Sequence, residues 1–474
     1  MAPAVLNAEP SQPIARKEQH LPPKSYADAA HENMRTNGDT ESDTPTEYVG
    51  DGKEDITRSP VRKGHKRVKS QNGGVVPKKP LGAGRELVNT YQDADGHKLT
   101  SVKATEEFEE NLSLDKKEQR RTELTSGRTP GAGWAKSGIR WAPLNVPLKR
   151  RLQTLVVLWH TISIPLFITA FFFLCAIPIF WPILIPYLIY LVFSNTHQSG
   201  TLRRRSNFFR SLPIWSLFAS YFPARLHRSQ ELPPTRKYIF GYHPHGIISH
   251  GAFAAFATEA LGFSHLFPGI TNSLLTLDSN FRIPLYREYA LALGLGSVSR
   301  TSCENLLSKG GTNGEGMGRA ITIVVGGARE SLDALPGSLK LVLKRRKGFV
   351  RMAIRTGADL VPVLAFGEND LYNQIQVDSH PLIHKSQLLV KKFLGFTIPL
   401  LHARGVFNYD VGMMPYRRPL NVVVGRPIKV WQQGKPEDKY VDEVHGLYVE
   451  ELRRVWEEWR GEFSPGTEEM EIIE

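Results

Sequence analysis

Residues 237–246 read KYIFGYHPHG and join a buried strand to a turn with two histidines. Lys237–Tyr242 is rich in aromatic and β-branched side chains, which is typical of a strand. Pro244 disfavours a helical backbone at the residue before it, and Gly246 lets another group approach closely, so the strand ends in a tight turn. A helix is predicted next, at Gly251–Leu261. This strand, turn and helix predict one unit of an α/β domain.

The same alternation continues through the rest of the domain, residues 203–463. Further strands are predicted at Ile321–Val325, Leu360–Phe366 and Asn421–Val424, and further helices at Lys347–Thr356 and Asp438–Trp459. This pattern predicts an α/β fold with a mixed, largely parallel sheet, flanking helices and an active site at the carboxyl ends of the strands. A glycine-rich insertion is predicted at 308–319 and an acidic tail at 464–474.

A run of 51 residues without Lys, Arg, Asp or Glu occupies 152–202. A transmembrane helix needs only about 18–20 apolar residues, so the run predicts a membrane-embedded segment, residues 148–202. Prolines near its middle divide it into arms at about 155–177 and 180–193. Basic triplets flank it on both sides, Lys149-Arg150-Arg151 and Arg203-Arg204-Arg205. Since positive charge marks the cytoplasmic side, we expect a hairpin, either two short spans or a loop embedded from one side.

The N-terminal residues 1–130 have a different composition from the rest. They contain four aromatic residues and no Trp, and they are dominated by Pro, Ser, Thr, Gly, Asn and mixed charges. Such a segment buries too little apolar surface to offset the entropy of ordering the chain. The sequence therefore predicts a disordered N-terminal tail before the membrane hairpin.

Positive charge is concentrated in the body of the chain. Residues 131–430 carry 34 Lys and Arg against 13 Asp and Glu, whereas 431–474 carry 5 against 13. A basic body indicates an anionic partner, such as a phospholipid surface, a phosphorylated cosubstrate or nucleic acid. Charge alone leaves all three kinds of partner open. Two cysteines, Cys175 and Cys303, exclude a disulfide scaffold.

The turn after the first strand carries the residues with the clearest chemistry, His243 and His245. Strand ends are where α/β enzymes present catalytic groups, and the positive end of a following helix would keep an imidazole neutral. His245 is therefore the predicted general base, with His243 as the second catalytic candidate. A rival interpretation makes His243, His245 and His250 zinc ligands. A helical register would turn His250 away, so we expect no metal.

Five separated motifs resemble the type 2 diacylglycerol acyltransferases, the fungal members in particular. They occur in the family's order between about 148 and 459. The motifs are Tyr221-Phe222-Pro223, His243-Pro244-His245-Gly246, Asn280–Tyr289 with Gly296–Arg300, Gly326-Gly327-Ala328-Arg329-Glu330, and Arg346–Ala353 with Val361–Glu368. The four-residue signature alone would be a weak signal, but five ordered motifs are a strong one. The resemblance implies a glycerolipid-acyltransferase-like fold for 203–463.

The resemblance also implies an endoplasmic reticulum membrane enzyme that transfers a fatty acyl group from acyl-CoA to diacylglycerol, releasing CoA and triacylglycerol. It implies acyl-CoA as cosubstrate with no cofactor, no nucleic-acid partner, and a catalytic domain that faces the cytoplasm, with the lipid droplet surface as a further location. One alternative is transfer to monoacylglycerol, a long-chain alcohol or a sterol. Another is a non-enzymatic scaffold on lipid surfaces. The sequence leaves homo-oligomer formation open.

The implied chemistry assigns roles to several residues. His245 would take the hydroxyl proton in a direct transfer, because no Ser or Cys stands in a nucleophile elbow. Related glycerolipid acyltransferases have an Asp five residues after the base, where this chain has His250, so Glu330 is the candidate that orients His245. The candidates for binding the CoA phosphates are Arg329, Arg346, Lys347 and Arg351. Lys344–Lys347 fits a solvated face against anionic lipid equally well.

Overall fold

The structure is a computed structural model that describes residues 87–92, 98–104, 139, 141–142, 146–374 and 401–473. Within these ranges the strands are β1 (Leu87–Gln92), β2 (Lys98–Lys103), β3 (Arg225–Arg228), β4 (Lys237–His243), β5 (Thr271–Thr276), β6 (Gly296–Ser297), β7 (Arg319–Val324), β8 (Lys340–Val342), β9 (Ala358–Phe366), β10 (Asn373–Gln374), β11 (Leu401–His402), β12 (Asn421–Val424) and β13 (Glu471–Ile473).

The α-helices of the same ranges are α1 (Leu148–Cys175), α2 (Trp181–Phe193), α3 (Asn207–Arg210), α4 (Pro213–Tyr221), α5 (His250–Ala252), α6 (Phe263–Leu266), α7 (Tyr286–Ala292), α8 (Arg300–Ser308), α9 (Gly327–Glu330), α10 (Gly348–Thr356) and α11 (Asp438–Phe463). A π-helix lies at Phe253–Ala257. Short 3-10 helices lie at Pro178–Phe180, Thr196–Gln198, Asp278–Arg282 and Asn369–Leu371.

A nine-stranded sheet organises these elements in the order β1-β2-β3-β12-β9-β4-β7-β5-β6. Strands β9, β4, β7, β5 and β6 are mutually parallel, whereas β12 is antiparallel to β9. All nine residues of β9 are buried, as expected for a strand that is covered on both faces. The predicted mixed, largely parallel sheet is confirmed. Because β4 lies between β9 and β7, the residues that follow it emerge at the carboxyl edge of the parallel strands.

Two hydrophobic cores cover the two faces of the sheet, and β4 contributes to both. Phe240 and Tyr242 belong to the core that also contains Trp215 of α4 and residues of α1, which we term the hairpin face. Ile239 belongs to the other core, with Tyr448 of α11, which we term the α11 face. Since side chains alternate along a strand, neighbouring residues near the end of β4 serve different cores.

The apolar run forms two helical segments, as predicted. Leu148–Cys175 and Pro178–Gln198 are both long and apolar enough to cross a membrane by length and composition. Pro178 separates them, because proline removes a backbone donor and its ring hinders continuation of the first helix. The first helix is attached to the domain through Gln153, whose Oε1 accepts from Arg417 at 2.7 Å.

The third sequence motif, Asn280–Tyr289, attaches the second arm of the hairpin to the domain. The buried guanidinium of Arg287 donates to the carbonyl oxygens of Leu191 and Ser194, both at 2.8 Å. The last carbonyls of a helix have no partner within the helix, so Arg287 satisfies the end of α2. Tyr187 of α2 in turn accepts from the backbone N–H of Leu285 at 2.8 Å.

The prediction of a disordered tail over 1–130 is wrong for two segments. β1 and β2 pair as an antiparallel hairpin, and β2 extends the sheet by pairing with β3. Leu99 and Val102 are 1% exposed, and Ser101 is hydrogen-bonded to the buried His227 at 2.5 Å. Composition taken over the whole tail conceals such short strands, because they are stabilised by the existing sheet edge. Residues 1–86, 93–97 and 105–130 lie outside the described residues.

Three smaller differences concern a helix, a loop and the C-terminus. The helix predicted at Gly251–Leu261 begins at His250 and becomes a π-helix, which ends where Arg210 donates to the carbonyl oxygen of Ala257 at 2.6 Å. The insertion 308–319 is the loop between α8 and β7. The acidic tail 464–474 is attached, because β13 pairs in parallel with β8.

Candidate active site

β4 delivers the predicted catalytic residues to the carboxyl edge of the sheet. The His-Pro-His-Gly turn consists of His243-Pro244-His245-Gly246, and its His243–Pro244 peptide bond is cis. Gly246 has a φ of +55°, and a Cβ at this position would lie 2.7 Å from Cγ of Glu368. Glycine is therefore required here, both for the left-handed backbone and for the close approach of the Glu368 side chain.

The His245 imidazole has one ring nitrogen already engaged. Its Nδ1 lies 3.1 Å from the carbonyl oxygen of Gly246. A carbonyl oxygen only accepts hydrogen bonds, so Nδ1 carries the proton and Nε2 keeps a free lone pair. Burial lowers the pKa of His245 below its usual 6.5. The next helix begins five residues later, at His250, so burial and not a helix terminus keeps this ring neutral, which is the state a general base requires.

His243 points into the α11 face and is fully buried. Tyr448 donates its single hydroxyl proton to the carbonyl oxygen of Gly241 at 3.0 Å. The same hydroxyl oxygen lies 3.0 Å from Nε2 of His243, so the histidine donates this hydrogen bond and its Nδ1 is unprotonated. Burial lowers the pKa of His243 to about 3. The ring therefore connects β4 to α11 as a neutral donor.

Glu330 holds the backbone of the catalytic turn. Its Oε1 accepts from the N–H of His245 at 2.5 Å, and its Oε2 accepts from the N–H of Val342 at 2.9 Å. Glu330 is the carboxylate predicted to orient His245, and the structure places it against the backbone N–H of that residue, while the ring Nδ1 lies against the carbonyl oxygen of Gly246. A Cβ at Gly326 would lie 2.1 Å from Glu330 Oε2, so that glycine lets the side chain fold back. Burial raises the pKa of Glu330 to about 7.

A second buried carboxylate, Glu368, holds the other end of the same loop. Its Oε1 accepts from the N–H of His250 at 2.7 Å. Its Oε2 accepts from the N–H of Gly251 and from the hydroxyl of Tyr242, both at 2.8 Å. Burial raises the pKa of Glu368 to about 7. The sequence analysis gives Glu368 no role, although this residue ends the fifth motif and follows the buried strand β9 closely.

His250 lies on the hairpin face, on the opposite side of the sheet from His243. Its Nε2 is 2.9 Å from the hydroxyl of Tyr372, and its ring packs 4.9 Å from that of Phe222. The structure therefore does not bring His243, His245 and His250 together as a three-ligand set. Among the described residues, no group of three or more His, Cys, Asp and Glu side chains is arranged to hold a metal ion.

A histidine of the hairpin was also missed. His160 of α1 packs with its ring centroid 5.6 Å from that of His250 and 4.0 Å from that of Phe253. The signal for it was present in the sequence, because a histidine inside an apolar membrane segment is costly and points to a function. The first sequence motif, Tyr221-Phe222-Pro223, supports the same region through the Phe222 contact.

The basic candidates for CoA binding lie near β8 and α10, on the α11 face. Lys347 pairs with Asp442 at 2.7 Å, and Arg351 pairs with Asp438 at 2.8 Å. Arg346 is exposed and acts electrostatically on Glu330, whose side chain also holds the turn. Arg329 is half-buried on α9. The structure thus places this basic group beside the strand that Glu330 links to His245.

Comparison with known proteins identifies the family. Residues 172–473 match the family model described as diacylglycerol acyltransferase. The chain is 49% identical over 342 residues to diacylglycerol O-acyltransferase 2A of Umbelopsis ramanniana, covering 71% of this chain and 94% of the relative. It is 45% identical over 314 residues to diacylglycerol O-acyltransferase 1 of Schizosaccharomyces pombe, covering 66% and 89%.

A relative whose name gives a different acceptor has nearly the same sequence identity to this chain. The chain is 44% identical over 330 residues to 2-acylglycerol O-acyltransferase 1 of Bos taurus, covering 69% of this chain and 96% of the relative. No solved structure matches the chain significantly. The matched family model, these identities and the ordered motifs agree, and this chain belongs to the type 2 diacylglycerol acyltransferase family.

Proposed function

We propose that this protein is an acyl-CoA-dependent diacylglycerol acyltransferase that produces triacylglycerol and CoA. The observation that carries the proposal is the neutral His245, with a free Nε2, between a membrane hairpin and a basic face. Family membership supports the same activity, because relatives that are 49% and 45% identical carry this name. A scaffold that only coats lipid surfaces has no use for such a catalytic turn.

His245 acts as the general base in this reaction. Nε2 takes the proton of the acceptor hydroxyl while the hydroxyl oxygen attacks the thioester carbonyl carbon. The tetrahedral intermediate collapses by breaking the carbon–sulfur bond, and the imidazolium returns the proton to the CoA sulfur. The ester and the free thiol are the products, so atoms and protons balance without a cofactor.

A direct transfer is consistent with the state of the second cysteine. Burial raises the pKa of the Cys303 thiol to about 12, so it is not a thiolate at neutral pH. The thiol is directed to the carbonyl oxygen of Val298 at 3.7 Å. Cys303 is therefore unsuited to carrying an acyl group, and the hydroxyl of the acceptor attacks acyl-CoA itself.

The two substrates reach His245 from opposite faces of the sheet. The hairpin face adjoins α1 and α2, which supports delivery of diacylglycerol from a bilayer. The α11 face carries Arg346, Lys347 and Arg351, whose guanidinium and ammonium groups suit the phosphates of CoA. We place the enzyme in the endoplasmic reticulum membrane with its catalytic domain on the cytoplasmic side, and on lipid droplets when these form. We also assign a glycerolipid-acyltransferase-like fold to residues 203–463, which the mostly parallel sheet supports.

An assay with defined substrates tests this function. Microsomes that contain the protein receive radiolabelled oleoyl-CoA and one acceptor at a time: diacylglycerol, monoacylglycerol, a long-chain alcohol or a sterol. We expect labelled triacylglycerol with diacylglycerol, and the highest kcat/KM for this acceptor. Microsomes with the His245→Ala variant are the matched control. Absence of labelled product, or a higher kcat/KM for another acceptor, would contradict the proposal.

A further inference from the structure

A buried polar cluster connects the first hairpin helix to the catalytic loop. His160 of α1 lies against His250, and His250 is bonded through Nε2 to Tyr372. The backbone N–H of His250 is bonded to Glu368, whose side chain lies directly against Gly246. The cluster therefore forms a continuous path from the hairpin to the residue beside His245.

Two ring nitrogens of this cluster are not satisfied. Nδ1 of His160 and Nδ1 of His250 are buried and have no hydrogen-bond partner among the described residues. His250 is 0% exposed, whereas His160 is half-buried on α1, so only His160 lies near the surface of the hairpin. A buried polar atom without a partner is costly, and native structures keep few of them without a functional reason. Both nitrogens therefore favour a ligand with hydroxyl or ester groups.

The position of His160 along α1 restricts what this ligand can be. Arg151, in the basic triplet that marks the membrane surface, precedes His160 by nine residues, which is about 14 Å along a helix. Leu155 and Ile162 on either side of it are 58% and 39% exposed, as expected for a lipid-facing helix. A charged phosphate at that depth would lose most of its hydration at a high cost in free energy. The cost is much smaller for a glycerolipid with only hydroxyl and ester groups.

We propose that His160 and His250 form a binding site for the hydroxyl-bearing glycerol group of an uncharged lipid acceptor, which reaches His245 from within the bilayer. The site rests on the proposed function, because it supplies the acceptor for that reaction. It assigns acceptor selection to a residue of the membrane helix. Phosphorylated acceptors are excluded by the depth of the site, while CoA phosphates bind at the other face.

The test compares acceptor kinetics of two phenylalanine variants. His160→Phe keeps an aromatic ring against Phe253 but removes both nitrogens, and Leu155→Phe places the same ring on the lipid-facing side as the control. We expect His160→Phe to raise the KM for diacylglycerol by roughly 3- to 10-fold, as for the loss of one neutral hydrogen bond. The KM for acyl-CoA, the amount of protein in the membrane and the Leu155→Phe variant should be unchanged. An unchanged KM for diacylglycerol in His160→Phe would overturn the site.

Photolabelling separates this inference from the proposed function. A diacylglycerol with a diazirine near its glycerol group should label α1 in the wild type and in His245→Ala, and label it less in His160→Phe. That pattern would support the site even in a protein without acyl transfer. Equal labelling of His160→Phe and wild type would overturn the site while acyl transfer persists. Competition by lysophosphatidate as strong as that by diacylglycerol would overturn the exclusion of charged acceptors.

Discussion

Glu330 and Glu368 are two buried carboxylates with the same local task and different surroundings. Each accepts backbone N–H groups from the loop that carries His245, and burial raises the pKa of each to about 7. Glu330 shares its second oxygen with β8, which leads to the basic residues of the α11 face. Glu368 shares its second oxygen with Tyr242 on the hairpin face.

The difference indicates how one loop can serve two substrates. The ring Nδ1 of His245 lies against the Gly246 carbonyl oxygen, and the carboxylates accept backbone N–H groups on either side of that ring. In the proposed function, each carboxylate belongs to the face from which one substrate arrives. A change at either carboxylate should therefore affect both turnover and the KM of the substrate on its own face, whereas a change at the ring should affect turnover alone.

Removal of the ring gives the largest expected effect. His245→Ala should reduce kcat by about 10²- to 10⁴-fold, because a general base is worth that much in rate. The KM values for both substrates should change little, since neither carboxylate loses a partner. Kinetics in microsomes with matched protein content measure this, and His265→Ala, at an exposed position, is the control. Near-normal kcat in His245→Ala would remove the proposed base.

Exchange of the carboxylates tests the comparison directly. Glu330→Gln and Glu368→Gln each replace an accepting oxygen with an NH₂ group that faces an N–H donor. The cost of about 1–3 kcal/mol for an unsatisfied buried group corresponds to roughly a 5- to 150-fold loss of kcat/KM. We expect Glu330→Gln to raise the KM for acyl-CoA and Glu368→Gln that for diacylglycerol. Equal shifts of the same KM in both variants would refute the two-sided arrangement, and the exposed Glu315→Gln is the control.

As the pH is lowered, kcat/KM should respond to protonation of the two carboxylates before it responds to protonation of His245. Protonation of Glu330 or Glu368 places an O–H where an N–H must be accepted, so kcat/KM should fall below pH 7, by about tenfold per pH unit for each carboxylate that must be ionised. Burial lowers the pKa of His245 from its usual 6.5, so its protonation should begin at a lower pH than that of the carboxylates. Since both carboxyl pKa values are raised on folding, their contribution to stability should decrease as pH rises from about 4.5 to 7. Activity that stays constant down to pH 6 would assign the carboxylates no such role.

The basic residues of the α11 face should show smaller effects. Lys347→Ala and Arg351→Ala should raise the KM for acyl-CoA by about 2- to 5-fold. The effect is small because each side chain also forms a surface ion pair, which is typically worth about 0–1 kcal/mol. Asp442→Asn releases Lys347 and should lower the same KM. The KM for diacylglycerol is the internal control. A rise in the KM for acyl-CoA after Asp442→Asn would exclude Lys347 as a phosphate ligand.

Truncation of the N-terminus should have the smallest effect on turnover. Removal of 1–86 keeps β1 and β2, and we expect kcat within about twofold of the wild type. Removal of 1–104 uncovers the edge of β3 and removes Ser101, which is hydrogen-bonded to His227. The inactivation temperature of this truncated protein in detergent should therefore fall by several degrees. The shorter truncation is the control for the longer one. Equal inactivation temperatures would show that β2 does not stabilise the sheet.

Local sequence signals were sufficient for much of the fold. Apolar strands such as Ala358–Phe366, helix periodicity in α11 and the uncharged run of the hairpin depend on neighbouring residues, so they can be recognised one segment at a time. The position of His245 could be predicted for the same reason, since a strand end, a proline and a glycine are consecutive. The pairing of β2 with β3 could not, because its stability comes from a strand more than a hundred residues away.

The two apolar helices, the α/β class and the position of His245 at a strand end could be read from short stretches of side chains. The surroundings of His245 depend on how distant elements pack. The pairing of Glu330 with His245, of Glu368 with His250 and of His250 with His160 joins residues from separate elements. Such contacts arise when the sheet brings strand ends to one edge, and no spacing along the chain encodes them.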